Sequence, residues 1–310
     1  MYSDQINGFF KTQLSEWELA ADNYRQLERI KTRHMTFPGF EILVQFNPER
    51  MASSSAKVDA KSIRSRPCFL CEKNRPPEQR GFRFESDFTV LVNPYPIFSR
   101  HLTIPCDHHT DQRIRYNFGK MLSLAEALPG YTIFYNGPQC GASAPDHFHF
   151  QAGNRGFMPV EKDFSSDRFA SRIFTRRDAE VWHWTDYLRG IISLKGTERE
   201  PVEALFHKFF ERFSTMQPDR PEPMLNILAY KEVDFWIVHI IPRKQHRPVQ
   251  FFLEGKDQIL LSPASVDLGG TVITPREEDF EKIRVSDISD IFRQVCFGEE
   301  ELHRIISDIK

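Results

Sequence analysis

The sequence lacks a hydrophobic segment long enough to cross a membrane. Its strongest apolar run, residues 235–241, is interrupted by His239 and is much shorter than the roughly 20 residues that a membrane-spanning helix needs. The N-terminal residues carry neither the basic stretch nor the apolar core of a signal peptide. We therefore expect a cytoplasmic protein that does not associate with membranes.

The chain also lacks a strong net charge and has few cysteines. Its 41 Lys and Arg residues against 43 Asp and Glu residues give a formal net charge of -2. This balance gives no electrostatic reason to expect a nucleic-acid partner. Five cysteines is an odd number, and a chain of 310 residues does not need disulfides to be stable. Free thiols or metal ligands are therefore expected.

What the chain does have is enough apolar material for a large core. Apolar residues make up 40% of the sequence and charged residues 27%, which is ordinary for a globular protein. The 28 phenylalanines indicate a well-filled interior. The length fits either one large domain or two fused halves.

One stretch near the middle of the chain carries a distinctive pattern. His147, His149 and Gln151 follow one another at a spacing of two, with Phe148 and Phe150 between them. Side chains alternate faces along a strand, so the polar residues would share one face and both phenylalanines would enter the core. An amphipathic strand with incidental polar residues is the competing interpretation.

The residues before this strand favour a binding site over that interpretation. The loop Gly141 to Pro145 consists of small residues and a proline, which would let a phosphate group approach backbone amides closely. Ser143 in the loop and Gln151 in the strand add side-chain donors. Together these residues indicate a site for a phosphorylated ligand.

The stretch resembles the H-x-H-x-Q active-site motif of the histidine-triad superfamily in its transferase branch. That branch includes galactose-1-phosphate uridylyltransferase, diadenosine tetraphosphate phosphorylases and GDP-hexose phosphorylases, and the wording H-F-H-F-Q is most similar to the last group. In the family the second histidine is the nucleophile, so the resemblance assigns this role to His149. It also implies phosphate-binding roles for Ser143 and Gln151. Asp146 is additional relative to the uridylyltransferase pattern, which makes the Ser143 assignment less direct.

Cys68 and Cys71 form a Cys-x-x-Cys pair. Two thiolates at this spacing can hold one tetrahedral metal ion but need two further ligands. Redox activity is the competing use, yet the flanking sequence lacks the strand-then-helix pattern of a thioredoxin-like site. The segment resembles the zinc knuckle near the start of uridylyltransferases, which implies a structural Zn²⁺.

The same resemblance suggests the two remaining metal ligands. The first is a histidine after a later strand, and the family spacing favours His108 over its neighbour His109. The second is the first histidine of the motif, His147. Cys106 is close by in sequence and is either a substitute ligand or a small buried residue.

The elements around the motif appear in the family's order. A strand at 40–46, a hairpin at 88–104 and a helix at 111–128 precede the strand at 131–135 that leads into the motif. The resemblance suggests five further substrate-binding residues, namely Asn93, Asn136, Gly141, Arg50 and Lys57. For the basic segment 52–61 that holds Lys57, a solvated loop is the competing interpretation.

The expected fold is α+β, with a histidine-triad-like antiparallel sheet and packed helices. We predict a catalytic half with the zinc knuckle at 1–155 and a second, degenerate half with C-terminal helices at 156–310. The sequence Ile-Pro-Arg at 241–243 echoes Ile-Pro-Cys at 104–106, and uridylyltransferases are built from such paired halves.

A basic group follows this echo. Arg243, Lys244 and Arg247 could neutralise substrate phosphates, or they could form the solvated end of a strand.

The residue types restrict the reaction. A neutral imidazole can attack the α-phosphorus of a nucleotide and form a covalent intermediate. Hydrolytic relatives carry a histidine where Gln151 stands, and a glutamine cannot protonate a poor leaving group. The leaving group should therefore be a good one, such as a phosphate, a sugar phosphate or a nucleoside diphosphate.

The predicted function is that of a nucleotidyltransferase or phosphorylase. It would transfer a nucleoside monophosphate from a nucleotide-sugar or dinucleotide to a phosphate-bearing acceptor through nucleotidyl-His149. The alternatives are a dinucleoside polyphosphate phosphorylase and a zinc-stabilised nucleotide-binding protein without turnover. A homodimer is possible because the family is often dimeric.

Overall fold

The computed structural model describes residues 2–51, 58–166 and 168–310 of the chain. Within these ranges the α-helices are α1 Tyr2–Glu16, α2 Glu18–Leu27, α3 Ala60–Arg64, α4 Phe118–Ala127, α5 Pro159–Ser165, α6 Arg199–Met216, α7 Ser265–Leu268, α8 Glu277–Lys282, α9 Val285–Val295 and α10 Glu299–Ile309. The strands are β1 Lys31–Phe37, β2 Phe40–Phe46, β3 Gly81–Phe84, β4 Phe88–Val92, β5 His101–Pro105, β6 Tyr131–Asn136, β7 His149–Asn154, β8 Ala170–Arg176, β9 Ala179–Trp184, β10 Ile192–Gly196, β11 Leu225–Glu232, β12 Phe235–Pro242 and β13 Thr271–Thr274.

Ten of these strands form one antiparallel sheet. Their order is β3-β4-β5-β7-β6-β11-β12-β10-β9-β8, and every neighbouring pair runs antiparallel. A second, three-stranded sheet has the order β1-β2-β13, in which β13 lies parallel to β2. The predicted α+β class with a large antiparallel sheet and packed helices is confirmed.

The large sheet repeats one strand order on either side of its centre. The order β3-β4-β5-β7-β6, with α4 between β5 and β6, matches β8-β9-β10-β12-β11, with α6 between β10 and β11. The two sets meet where β6 pairs with β11. The repeat makes β12 equivalent to β7. The similar sequences at 104–106 and 241–243 lie at the ends of β5 and β12, so they belong to strands that are not equivalent in the sheet.

The two faces of the large sheet are buried by different elements. Helices α4 and α6 cover one face, where Phe118 stacks on Phe206 with ring centroids 3.7 Å apart. Phe148 and Phe150 are buried in this core, as the alternation predicts. The small sheet and the segment after β12 cover the opposite face.

Strand β7, which carries the motif and is called the motif strand, therefore directs its polar residues toward the small sheet. Strand pairing aligns Thr103 with Gln151, Gln151 with Phe134 and Phe134 with Leu228 in one row across the sheet. Paired residues in an antiparallel sheet point to the same face. His147 lies just before β7, in a bend, and only His149 and Gln151 belong to the strand itself.

No helix among the described residues is both long and apolar enough to cross a membrane.

A buried histidine, His239, lies in the second half of the large sheet and is the strand partner of Ser193. His239 is completely buried, its Nδ1 lies 2.7 Å from Ser193 Oγ, and its Nε2 lies 3.2 Å from the Tyr230 hydroxyl. Trp184 Nε1 donates to Ser193 Oγ over 2.7 Å. Burial lowers the pKa of His239 to about 3, so the folded protein keeps this ring neutral.

We expect the stabilising effect of His239 to depend on pH. The unfolded chain protonates this histidine near pH 6.5 whereas the folded chain does not, so its contribution to stability falls as the pH drops below that value. Between pH 7 and pH 5 the difference in unfolding free energy between the unaltered protein and His239→Gln should shrink by about 2 kcal/mol. Urea unfolding of both proteins at the two pH values measures it. A difference that stays constant would contradict a neutral buried ring.

Candidate active site and metal centre

His149, the predicted nucleophile, is buried and presents one free ring nitrogen. Its Nδ1 lies 2.8 Å from the carbonyl oxygen of His147. A carbonyl only accepts hydrogen bonds, so Nδ1 carries the proton and Nε2 keeps its lone pair. Burial lowers the pKa of His149 to about 4, which leaves the ring neutral near pH 7. This is the protonation state that a nucleophile needs.

The backbone of His149 is fixed by Gln112, which sequence reasoning missed. Gln112 Oε1 accepts from His149 N–H over 2.8 Å, and its Nε2 donates to the His149 carbonyl over 2.9 Å and to the Asn136 carbonyl over 3.0 Å. Gln112 is completely buried. It lies before helix α4 in a loop, where the sequence predicts a helix over 111–128.

Replacing Gln112 with alanine should destabilise the fold. It should also slow the predicted covalent attachment of a nucleotide to His149, which is called labelling below. The substitution leaves buried backbone groups without partners, each costing roughly 1–3 kcal/mol. Gln13 offers a matched control because its amide makes a similar bridge, to Glu78 O over 2.8 Å and from Arg80 N over 2.7 Å. We expect Gln13→Ala and Gln112→Ala both to lower the urea midpoint. Only Gln112→Ala should slow labelling, and equal rates in the two variants would contradict this role.

Gln151 lies beside His149 on the same face of β7. Its Oε1 is 3.0 Å from His101 Nε2, and its strand partner across β5 is Thr103. The side chain is partly exposed to the cavity described below. The sequence predicted Gln151 at the site but did not single out His101.

The loop before the motif strand is held tightly against the second half of the chain. Gly141 has φ +95°, and a Cβ at this position would lie 2.4 Å from the Cβ of Ala264. Only glycine fits such a close approach in this conformation. The Ser143 carbonyl accepts a hydrogen bond from Arg66 over 2.9 Å, so the loop is also tied to the Cys-x-x-Cys segment.

A cavity of about 580 Å³ opens in front of His149. The predicted residues that line it are His149, Gln151, Ser143, Asn93, Asn136, Gly141 and Arg50. Another part of its wall comes from the second half of the chain, namely from Leu261, Ser262, Ala264, Val266, Asp267 and Ile273. Lys57, also predicted, lies outside the described residues. The structure thus brings seven predicted residues around one cavity large enough for a nucleotide.

Two of these lining residues are engaged mainly with the protein itself. Asn93 donates to Thr103 Oγ1 over 2.9 Å and accepts from the backbone of Tyr95 over 2.9 Å. Asn136 Oδ1 accepts from the Ser265 backbone over 2.8 Å and from Asn226 over 2.9 Å. Both side chains therefore shape the cavity walls.

Charged groups of both signs face the cavity. Arg50 donates to the Tyr95 carbonyl over 3.0 Å, and burial lowers its pKa to about 10, so it remains a cation at pH 7. Arg66 is the second arginine in the lining. Asp267 accepts from the backbones of Ala264 and Ile273, and burial raises its pKa to about 6. The two guanidinium groups suit an anionic ligand.

A cluster of Cys68, Cys71, His109 and His147 could hold a metal ion. One ligand atom from each residue lies within 4.8 Å of all the others. The Cys68 and Cys71 thiols lie 3.3 Å and 3.6 Å from His147 Nδ1, and Cys71 Sγ lies 3.2 Å from His109 Nδ1. Two sulfur and two nitrogen donors are a typical tetrahedral set for zinc.

His147 has the right tautomer for a ligand. Its Nε2 lies 2.7 Å from the Cys106 carbonyl, so the proton resides on Nε2 and the Nδ1 lone pair faces the thiols. Cys106 thus contributes a carbonyl to this arrangement. Asp146, the additional residue of the motif, lies with Oδ2 3.7 Å from His109 Nε2 and Oδ1 3.6 Å from Arg66.

The structure brings His109, and not the favoured His108, to the two thiols and His147. His108 is exposed and lies outside this cluster. Strand β5 ends at Pro105 and the chain bends at Asp107 and His108, so strand alternation does not determine which histidine faces the two thiols. Family spacing alone did not identify which one.

Within the basic group after β12, Arg243 differs from both predictions, whereas Lys244 is exposed as a solvated strand end would be. Arg243 is completely buried and donates to Asn226 Oδ1 and the Pro263 carbonyl over 2.7 Å and 2.8 Å. Lys244 pairs with Glu301 at 3.6 Å, and Arg247 donates to Ser262 Oγ over 3.1 Å. Arg243 is therefore neither solvated nor placed for a phosphate, and it anchors the wall segment that contains Pro263.

Comparison with known sequences places the motif inside a matched region. A family profile described as a domain of unknown function, DUF4922, matches residues 9–154. Galactose-1-phosphate uridylyltransferase of Halalkalibacterium halodurans is 27% identical over 184 residues, which cover 52% of this chain and 35% of that protein. The enzyme of the same name from Streptococcus salivarius is 27% identical over 135 residues, covering 42% and 27%. The chain thus spans about a third of the length of these curated relatives.

Comparison with solved structures covers nearly the whole chain. Yeast Ap4A phosphorylase in complex with AMP superimposes with a TM-score of 0.59 at 17% identity, over 92% of this chain and 97% of that chain. The chain shares the fold of this phosphorylase. The same enzyme in complex with Ap4A gives a TM-score of 0.58 at 16% identity, over 91% and 97%. Together with the uridylyltransferase relatives, this confirms the resemblance to the transferase branch of the superfamily.

Proposed function

We propose that this chain is a nucleotidyltransferase that forms a covalent nucleotidyl-His149 intermediate. The observation that carries the proposal is the neutral, buried imidazole of His149, whose Nδ1 proton is donated to the His147 carbonyl over 2.8 Å. Its unprotonated Nε2 belongs to a residue that lines a cavity of about 580 Å³ containing Arg50 and Arg66. The uridylyltransferase relatives support the same reaction class.

The proposed reaction has two displacements. In the first, the His149 Nε2 lone pair attacks the α-phosphorus, the phosphorus–nitrogen bond forms, and the bond to the leaving phosphate oxygen breaks with its electron pair. In the second, an oxygen of the phosphate-bearing acceptor attacks and the phosphorus–nitrogen bond breaks. Gln151 and the loop at 141–145 would stabilise charge on the phosphoryl oxygens during both steps.

The donor is a nucleotide-sugar or a dinucleotide, and the acceptor carries a phosphate. Gln151 has no titratable proton, so the leaving group must depart as a stable anion. A dinucleoside polyphosphate phosphorylase is the second candidate, because the fold matches yeast Ap4A phosphorylase over nearly the whole chain. The two candidates share the nucleophile and differ only in the donor.

We further propose that the Cys68, Cys71, His109 and His147 cluster holds a structural Zn²⁺. Four protein ligands leave no open position for substrate, so the metal would fix the motif without taking part in the reaction. We also propose two related halves, 1–155 and 156–310, supported by the repeated strand order. A cytoplasmic location and a homodimer remain predictions.

Intact-mass spectrometry after brief incubation with separate donors tests the proposed function. The donors are GDP-hexoses, UDP-hexoses and diadenosine tetraphosphate. A mass increase equal to one nucleoside monophosphate would support the reaction and identify the base. Nucleotide binding without any mass increase from any donor would favour a binding protein without turnover.

A further inference from the structure

His101 is the first residue of strand β5, next to the motif strand. It is completely buried, with its ring packed against Phe98 at a centroid distance of 5.2 Å and against Phe134 at 6.0 Å. Its strand partner is Gly153, and a Cβ on that glycine would lie 2.5 Å from the Phe98 ring. The imidazole is therefore packed between two aromatic rings in the sheet.

The hydrogen bonds of His101 define its tautomer. The backbone N–H of Ile97 donates to His101 Nδ1 over 3.2 Å, so Nδ1 has no proton. The proton of the neutral ring is therefore on Nε2, which lies 3.0 Å from Gln151 Oε1. Burial lowers the pKa of His101 to about 3, so the ring stays neutral across the working pH range.

This arrangement determines which end of the Gln151 amide is available to a ligand. The carbonyl oxygen accepts from His101, so the NH₂ group is left to face the cavity. If the amide turned over, its NH₂ group would meet the His101 N–H and its carbonyl oxygen would repel phosphoryl oxygens. We propose that His101 is a positioning residue that holds the Gln151 amide with its donor group toward the substrate phosphate.

This proposal rests on the proposed function. Two substitutions at His101 distinguish its hydrogen bond with Ile97 from its hydrogen bond with Gln151. In His101→Asn the side-chain oxygen can still accept from Ile97 N–H, but nothing reaches Gln151. In His101→Gln the longer amide can still donate to Gln151 Oε1. We expect labelling of His149 to slow roughly 10- to 100-fold in His101→Asn, as for loss of one transition-state donor. The reduction in His101→Gln should be several-fold smaller.

A double-mutant cycle distinguishes positioning from a general loss of structure. If His101 acts only through Gln151, His101→Asn should change the labelling rate less than about twofold once Gln151 is already alanine. Urea midpoints of all four proteins show whether they are folded at the assay temperature. An unchanged effect of His101→Asn in the Gln151→Ala background would overturn the proposal, as would equal slowing by His101→Asn and His101→Gln.

A nitrogen NMR spectrum of the histidine rings tests the orientation without using activity. In protein labelled with ¹⁵N-histidine, the signals missing from His101→Asn belong to His101. We expect a neutral ring with the proton on Nε2 at pH 7, and a proton on Nδ1 would overturn the proposal. If no donor labels the unaltered protein, the proposed function fails and the catalytic consequence fails with it, whereas the spectrum decides the orientation by itself.

Discussion

Substituting His149 with asparagine should abolish formation of the nucleotidyl adduct while leaving the protein folded. The asparagine amide can donate to the His147 carbonyl as His149 Nδ1 does, but it has no atom in place of the nucleophilic Nε2. Removing a catalytic nucleophile costs many orders of magnitude, so we expect labelling to fall by at least roughly 10⁴-fold. Intact-mass spectrometry over a time course measures the loss.

The exposed His108 supplies the control for this substitution. His108→Asn makes the same chemical change at an exposed position. This variant should be labelled at the rate of the unaltered chain. Urea midpoints of both variants establish that each is folded. An adduct that still forms quickly in His149→Asn would assign the nucleophile to another residue and reject the proposed intermediate.

The sequence predicted two local features of the site because short spacings determine them. Alternation in 147–151 sent Phe148 and Phe150 into the core and left His149 and Gln151 facing the cavity. The Cys-x-x-Cys spacing likewise brought two thiols to one point. Both patterns depend on residues that are neighbours in the chain, so periodicity and spacing are sufficient to read them.

The parts that failed depend on contacts between distant segments. The apolar periodicity over 111–128 predicts a helix, yet helix α4 begins only at Phe118. The preceding residues form a loop in which Gln112 reaches the His149 backbone, 37 positions away in the chain. Helix propensity depends on neighbouring residues only, so it cannot predict a hydrogen bond to a distant segment or the stability that such a bond adds.

The sequence also did not predict the part of the cavity wall that residues after β12 form. Its lining at 261–267 carries no motif, and its position depends on Arg243, which bonds the Asn226 side chain and the Pro263 carbonyl. In sequence, Arg243 looks like a member of a solvated basic group. Residues after β12 thus complete the cavity wall, where Ala264 packs against Gly141.

Loss of His109 should remove the metal, whereas loss of His108 should not. His109 Nδ1 lies in the cluster with both thiols and His147, whereas His108 is not part of that cluster. Removing a residue that merely orients a metal ligand costs about 10- to 100-fold in affinity, so removing a ligand should cost at least roughly 100-fold. Elemental analysis of purified His109→Ala and His108→Ala, beside the unaltered protein, measures zinc per chain.

Metal loss should also impair the nucleophile, because one residue serves both sites. The side chain of His147 faces the thiols, and its backbone carbonyl accepts the Nδ1 proton of His149. We therefore expect His109→Ala, or the unaltered protein treated with a strong chelator, to label slowly and to unfold at lower urea, with His108→Ala unaffected. Zinc retained in His109→Ala but lost from His108→Ala would restore the assignment made from spacing. An unaltered protein without near-stoichiometric zinc would show that the cluster is not a zinc site.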